Sequence, residues 1–403
     1  MYYLYHKKKY PDAFLVHIEE YNRFNGTVLF DFVDSNEFAI FIQNANIDGS
    51  RTGASMVLLT NYTGKRIQEN TVYAISLKTL ALWNSEQVIT VENDSFLIGY
   101  NVALRSGEQE IFDRSVTVGE FDDFHLLNHM TGSGSTQELP FVANGPINVV
   151  VRNVGQGNWN EVHVNNTVNT VFDVGAPFNA PRRQVLGIIG NRPNAYAYDK
   201  PGLILSHWDK DHYHSLIGMT DAELANFSYF ICRDKVPNYT SRVLFVRIRT
   251  AVTPANTYCI PALTGIRIVG HAGLVPITPA SHQHILFNTP HHKNRNISGL
   301  VLALRTSSSS VILSGDAHYS QLQSDVMPHL NYPHRHNLVV PHHGGNAGHY
   351  TYSLPAGVRP AEAAISVGAN NYGHPIWSYT SALGATGFLT KRTDRIGDIV
   401  ISL

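Results

Sequence analysis

Short runs of β-branched and aromatic residues, separated by polar turns, dominate the first 130 positions of the chain. Residues 27–33 (TVLFDFV), 37–42, 55–59, 71–77 and 87–91 each have the composition of a short strand. Between them lie turns containing Asn, Gly, Ser or Lys. The pattern predicts a small, mainly-β domain over residues 1–130, with room for a few helical turns. It has no internal repeat and no motif with chemistry of its own, so its role is not legible. Residues 131–137 (TGSGSTQ) are rich in Gly, Ser and Thr and predict a linker, bounded at 131–145.

From residue 146 the texture changes to apolar runs, stretches that could be helical, and sharp Gly- or His-containing turns. Residues 146–154 predict a strand, and 162–164 with 168–173 predict a hairpin across Asn165 and Asn166. Residues 203–206 form a short apolar run ending at His207. Further buried strands are predicted at 300–304, 311–313, 337–340 and 363–367. Residues 222–230 could form a helix, and Pro375 could open another running towards Leu383. Such a mixture fits sheets covered by helices, an α/β domain over residues 146–403.

Composition narrows the picture. A chain of 403 residues suits two or three domains, and 43% hydrophobic with 15% charged residues argues for sizeable cores and against disorder. The net charge of -1 excludes a strongly basic surface overall but not a local positive groove. No apolar run approaches the ~18–20 residues of a membrane span. The opening YYLYHKKKY lacks the apolar stretch of a signal peptide. A cytoplasmic protein without a membrane segment is the expectation. Cys232 and Cys259 lack metal-ligand spacing and read as ordinary thiols, with a disulfide the lesser alternative. Of 21 histidines, thirteen fall between His271 and His374, a concentration of a residue that binds metals and moves protons.

The sharpest local signal is Ser206-His207-Trp208-Asp209-Lys210-Asp211-His212, directly after an apolar run. Carboxylates and imidazoles crowded into one turn would repel and leave polar atoms unsatisfied unless a cation sat among them. The plain alternative is a polar surface turn. Four weaker pieces also sit at the ends of apolar runs: Ser314-Gly315-Asp316, Pro341-His342-His343-Gly344, Gly373-His374-Pro375, and the upstream pair Asn153-Val154-Gly155-Gln156-Gly157 and Phe172-Asp173-Val174-Gly175. Each alone could be a cap. Together, strand ends on one edge of a sheet can converge on a single site.

In this order the motifs resemble the metallo-β-lactamase superfamily, most closely the hydrolase domain of competence-type DNA-uptake channel proteins, over roughly residues 146–403. N-V-G-Q-G, F-D-V-G, S-H-W-D-K-D-H, S-G-D, P-H-H-G and S-V-G-A-N-N-Y-G-H-P stand where those relatives show D-V-G-Q-G, an Asp-Gly strand end, S-H-x-D-x-D-H, G-D, H-H-G and S-V-G…N…G-H-P. Arg392-Thr393-Asp394 before the final strand is similar too. The resemblance implies a four-layer αββα sandwich preceded by the mainly-β domain. It implies His207, Asp211 and His212 as metal ligands, Asp316 as a bridging carboxylate, and His374 or His342 as the late histidine ligand. Asp209 stands where most of the superfamily has histidine, and as a ligand it would harden the site towards Mn²⁺ or Mg²⁺ rather than Zn²⁺. Two divalent ions, Mn or Zn, are the implied cofactors. In two places the sequence departs from the pattern. The mid-chain histidine ligand has no clear counterpart, with His291, His292 and Asn296 near its place, and Asn158-Trp159-Asn160 follows Gly157 where relatives carry acidic or small polar residues.

Such a site would hydrolyse by activating water, since a bound metal lowers its pKa from ~15.7 to near 7. Asp209 or Asp211 could orient the nucleophile. His342 or His343 could protonate the leaving group, or the second of the pair could only orient its neighbour. Because the resembling proteins are associated with DNA degradation, a nuclease or other phosphodiesterase is the leading expectation, with a small phosphodiester as the alternative substrate. Arg182, Arg183, Arg192 and Lys200 could contact phosphates or be ordinary surface charges. β-Lactam hydrolysis suits the carboxylate-rich set less well. The other open reading is a catalytically silent, metal-stabilised binding or sensor module, its N-terminal domain contacting a protein partner.

Overall fold

The hairpin expected across Asn165 and Asn166 forms in the computed structural model, which describes residues 12–33, 35–47, 54–105, 111–115, 139, 145–263, 273–278, 283–290, 292, 295–330 and 335–403. Both asparagines take left-handed backbone, φ 51° and 65°, joining strands Trp159–Val164 and Thr167–Val174. Two such residues in sequence make the turn whose twist matches a hairpin. The predicted linker, residues 131–137, and His291 lie outside the described residues.

The described residues divide into two compact units. The larger comprises those between Thr131 and Ala180, Gln184–Asp234 and Arg247–Leu403. Its first sheet has seven strands in the order Thr257–Ile260, Tyr229–Arg233, Gly202–Ile204, Thr167–Val174, Trp159–Val164, Ile147–Val151 and Ile399–Ser402. Its second runs Val275–Pro276, His284–Asn288, Val301–Arg305, Ser309–Leu313, Arg335–Val339, Arg359–Ile365 and Leu389–Arg392. Alternation along the strands sets the layers. Val149, Val162, Phe172 and Ile204 of the first sheet meet Leu286, Leu302, Val311 and Val339 of the second in one buried core. The intervening Ile285, Phe287, Ala303 and Ile312 point the other way, onto Tyr319, Leu322, Val326 and Leu383 of the covering helical segments. Helices Arg192–Asp199 and Lys210–Gly218 pack against strand Thr167–Val174 of the first sheet. The result is helix, sheet, sheet, helix, the αββα sandwich of the metallo-β-lactamase fold.

The smaller unit takes the described residues between Met1 and Met130 with two later segments, Pro181–Arg183 and Lys235–Val246. Its seven-stranded sheet runs Ile89–Val91, Ile98–Ala103, Met56–Thr60, Thr27–Phe32, Ala13–Asn22, Val72–Ser76 and Phe112–Ser115. The segment Lys235–Val246 is tied in by polar contacts: buried Asp31 accepts from the Thr240 amide at 3.0 Å, and Asn238 donates to Glu19 at 2.7 Å. No periodicity could announce this join, because it depends on side chains far apart in sequence.

Three expected elements differ. Residues 37–42 are not a strand but part of helix Ser35–Asn44, where Phe38, Phe41, Ile42 and Ala45 recur at helical spacing and Phe41 packs on Phe14 and Phe32. The helix expected over 222–230 stops early. A capping box of Thr220 and Glu223 opens a short helix Asp221–Leu224, and Tyr229–Arg233 is a fully buried strand instead. Leu77, expected at a strand end, begins helix Leu77–Ser85, capped by Ser76. Cys232 and Cys259 face each other across paired parallel strands as free thiols. No described helix is long and apolar enough to cross a membrane.

On the outer face of the first sheet, buried Glu161 receives Arg152, the Tyr196 hydroxyl at 2.6 Å and His163 at 3.2 Å. Burial alone would raise its pKa. The hydrogen bonds from His163 and Arg152 and the charge of Arg152 outweigh burial and lower it from 4.5 to about 2. A depressed carboxylate contributes stability above its unfolded pKa and loses it as pH falls through the folded one. Glu161→Gln is therefore expected to destabilise the chain by about 1–2 kcal/mol at pH 7, since Arg152 keeps only Asp398, 2.7 Å from its Nη1, as a counter-charge. Urea unfolding should show this difference shrinking from pH 4.5 down to about 2. Equal stability at pH 7 would contradict it.

Candidate metal centre

Strand Gly202–Ile204 delivers Ser206 and His207 to one edge of the sandwich, and the helix Lys210–Gly218 starts just beyond Asp209. That helix holds Asp211 and His212 in its first turn. Asp173, at the end of strand Thr167–Val174, fixes the turn from behind. Its carboxylate accepts from the Ser206 amide at 2.7 Å, the Ser206 hydroxyl at 2.8 Å and the Asn158 amide group at 2.8 Å. It also lies 2.8 Å from His212 Nδ1. A carboxylate there favours a proton on Nδ1, so that Nε2, which faces inward, is the nitrogen that would ligate a metal once deprotonated. Gly175 makes the approach possible: a Cβ on it would sit 1.8 Å from the Asp211 carbonyl oxygen.

Asp316 follows strand Ser309–Leu313 on the second sheet and enters the same space. One carboxylate oxygen is 3.2 Å from His212 Nε2, and the other is 3.7 Å from both His207 Nε2 and His342 Nε2. His342 and His343 both adopt left-handed backbone, φ 52° and 55°, a conformation that non-glycine residues take at a cost in free energy. The two rings meet different partners. His343 Nε2 lies 3.1 Å from Asp211, and its Nδ1 is 2.8 Å from the Ser366 carbonyl.

Among the described residues, two groups of side chains could hold a metal ion: His207, His212 and Asp316, and Asp211, His212 and His343. Within each, the ligand atoms lie within 4.8 Å of one another. Four of these buried atoms, His207 Nε2, His212 Nε2, His343 Nε2 and Asp316 Oδ1, make no well-directed hydrogen bond, although carboxylate or imidazole atoms face them at 3.1–3.3 Å. Buried polar atoms crowded in this way are costly, and cations held by the two groups would satisfy them. The donor set, imidazole nitrogen with carboxylate oxygen, fits a divalent transition metal.

Electrostatics agree with the geometry. Burial opposes ionisation of Asp316, yet the His212 and His342 charges hold its pKa well below the usual carboxylate range. Asp211 is likewise lowered against burial, by its hydrogen bond to His343 and the charge of His212. Asp209 falls to about 2, with Arg295 and His207 outweighing burial. Burial would lower His212 and His343, but the facing carboxylates raise both. An entering dication would displace those protons.

Some expected residues sit differently. Of the late histidines, His343 joins a group that could hold an ion, while neither His342 nor His374, expected for the late ligand, joins one. His374 stands beside the cluster, its ring 5.2 Å from that of His342 and its Nδ1 3.2 Å from the Gln156 amide nitrogen. Asn370 braces it, accepting from the His374 amide at 3.0 Å and donating to its carbonyl at 2.9 Å. Asp209 lies outside both groups, with one oxygen 3.3 Å from His207 Nε2 and the other 2.8 Å from Arg295 Nε. His292 joins neither group, and Asn296 reaches to 3.4 Å from His342 Nε2. Three of the four candidate phosphate contacts have other partners. Arg182 lies over Phe96, Arg192 donates to the Ile188 carbonyl, and Lys200 donates to Asn226. The sequence motif F-D-V-G contains Asp173 without giving it a role, and nothing local marks Arg295.

No family model matches the chain, and no curated protein matches its sequence. Among solved structures it is similar to Tm1679, a metal-dependent hydrolase of the β-lactamase superfamily, with 11% identity and a TM-score of 0.34 over 64% of this chain and 99% of that one. It is also similar to a mutant of the CmlA β-hydroxylase, with 11% identity and a TM-score of 0.35 over 82% of this chain and 73% of that one. With TM-scores this low, the fold stands on its own sheets and the resemblance to competence-type hydrolase domains on the motifs alone.

Proposed function

We propose that the protein is a metal-dependent hydrolase that cleaves phosphodiesters, with nucleic acid as the preferred substrate class. The observation that carries this reading is the convergence of buried imidazole nitrogens from His207, His212 and His343 on the carboxylates of Asp211 and Asp316. Asp211, His212, His343 and Asp316 would hold one ion, and His207, Asp209, Asp316 and His342 surround a second position. The bound metal would supply a water acidic enough to act as hydroxide at neutral pH. Asp173 keeps His212 in the tautomer a ligand needs. Asp211, in the group with His212 and His343, would accept a hydrogen bond from the attacking water and orient it. His374, outside both ligand groups and braced by Asn370 and Gln156, offers an imidazole for proton transfer.

The preference for nucleic acid has two supports. The motifs resemble those of competence-type hydrolase domains. In addition, exposed aromatics stand near His374: the Tyr372 ring is 5.7 Å from its ring, and Trp377, 79% exposed, opens helix Trp377–Thr386. Aromatic faces of this kind suit base stacking. A cytoplasmic location remains part of the proposal.

The test is hydrolysis of bis(p-nitrophenyl) phosphate and of single- and double-stranded DNA and RNA by chelated, reconstituted protein. Turnover of both substrate types is expected, faster with Mn²⁺ than with Zn²⁺ because Asp211 and Asp316 supply hard oxygen donors. Cleavage of the small ester alone would move the substrate to a small phosphodiester. Bound metal without any turnover would reduce the protein to a binding module.

A further inference from the structure

Arg295 is the one side chain at the centre that no ligand pattern accounts for. It comes from the short turn Arg295–Ile297 and holds the metal-binding turn at two points. Its Nη1 donates to the Trp208 carbonyl at 3.1 Å, and its Nε lies 2.8 Å from Asp209 Oδ1. The ion pair is largely shielded, with Arg295 16% and Asp209 21% exposed. Only Asp209 Oδ2 is left turned towards His207, at 3.3 Å.

Charge counting gives this contact a consequence. Asp211 and Asp316 face His343 and His212 at the first position, with Asp173 behind His212, whereas Asp209 faces only the side of His207. The Arg295 guanidinium, 2.8 Å from Asp209, already offsets the charge of that carboxylate. A second dication would add two positive charges beside a fixed cation, in a setting where like charges a few ångströms apart repel strongly.

We propose that Arg295 takes the electrostatic place of a second metal, so that the centre binds one divalent ion tightly, at Asp211, His212, His343 and Asp316, and a second only weakly, on the side of His207 and Asp209. The inference rests on the metal-dependent reading above. It makes Arg295 a charge-compensating residue: it holds Asp209 and does not touch the reacting atoms.

The experiment is an equilibrium titration of the chelated full chain with Mn²⁺, and separately with Zn²⁺, counting ions per chain by calorimetry and elemental analysis. The wild type should bind one ion at least ~100-fold more tightly than any second. Arg295→Met should tighten the second ion by at least ~10-fold, and adding Asp209→Asn should reverse that gain. Arg295→Lys, which keeps the charge, should stay close to wild type. Asp209→Asn alone should leave the tight ion's affinity unchanged, an arm that holds even if Arg295→Met fails to fold. Two equally tight ions in the wild type, or loss of the tight ion in Asp209→Asn, would overturn the inference while leaving the metal-dependent reading in place. No bound ion at all would overturn both.

Discussion

Asp211→Ala is expected to abolish hydrolysis, by at least ~10³-fold in kcat, and to strip the chain of most of its metal. The carboxylate does three things at once. One oxygen faces His343 Nε2 at 3.1 Å, and the other lies 3.9 Å from His212 Nε2, so it closes the ligand group that holds the tight ion. It offsets the charge on those imidazoles. It also lies in the first turn of helix Lys210–Gly218, where the helix dipole favours an anion. A methyl group replaces none of these, and His343 would lose the carboxylate on its Nε2 while His212 kept Asp173 and Asp316. The scaffold does not depend on Asp211 in the same way. Leu216 and Tyr213 anchor the helix through apolar burial, and Ser215 through its bond to the Gly175 carbonyl at 2.9 Å. Circular dichroism should therefore show a folded chain, while elemental analysis shows metal loss. A variant with wild-type turnover and metal content would remove Asp211 from the site.

The legible part of this protein is what a strand end can announce. His207, Asp211, His212 and Asp316 each follow an apolar run or begin the helix after one, and a rigid strand end fixes where the next residues go. The sequence could not say which way neighbouring side chains turn. His342 and His343 are adjacent, and only their left-handed backbone sends one towards Asp316 and the other towards Asp211. His374 sits in a conspicuous motif, but the motif's Asn370 is a brace for its own loop. Arg295 was invisible because its partner, Asp209, is 86 positions away in sequence. The same limit hid the smaller unit's later segments, which join through Asp31 and Glu19. Short apolar runs misled in a different way. Residues 37–42 satisfy both a strand and a helix reading, and the helix wins because Phe41 finds Phe14 and Phe32 on one face.

Separating the late histidines gives the second large effect. His343→Ala should weaken metal binding by at least ~100-fold and reduce turnover with it, because its Nε2 is one of the buried ligand atoms that make no well-directed hydrogen bond. The hydrogen bond from its Nδ1 to the Ser366 carbonyl, at 2.8 Å, pre-sets the ring, so alanine removes both the donor and its alignment. His374→Ala should behave differently. His374 belongs to neither ligand group, and its Nδ1 is turned to Gln156 at 3.2 Å. Removing it should change metal affinity by no more than ~2-fold yet lower kcat by ~10²-fold, the cost of one proton-transfer group. The two variants therefore diverge on metal content as well as on rate. Titration with a chelator-buffered metal, run beside kcat measurements at saturating metal, reads both quantities in the same samples. If His374→Ala lost the metal while His343→Ala kept it, His374 would be the late ligand. His343 would then fall back to orienting its neighbours.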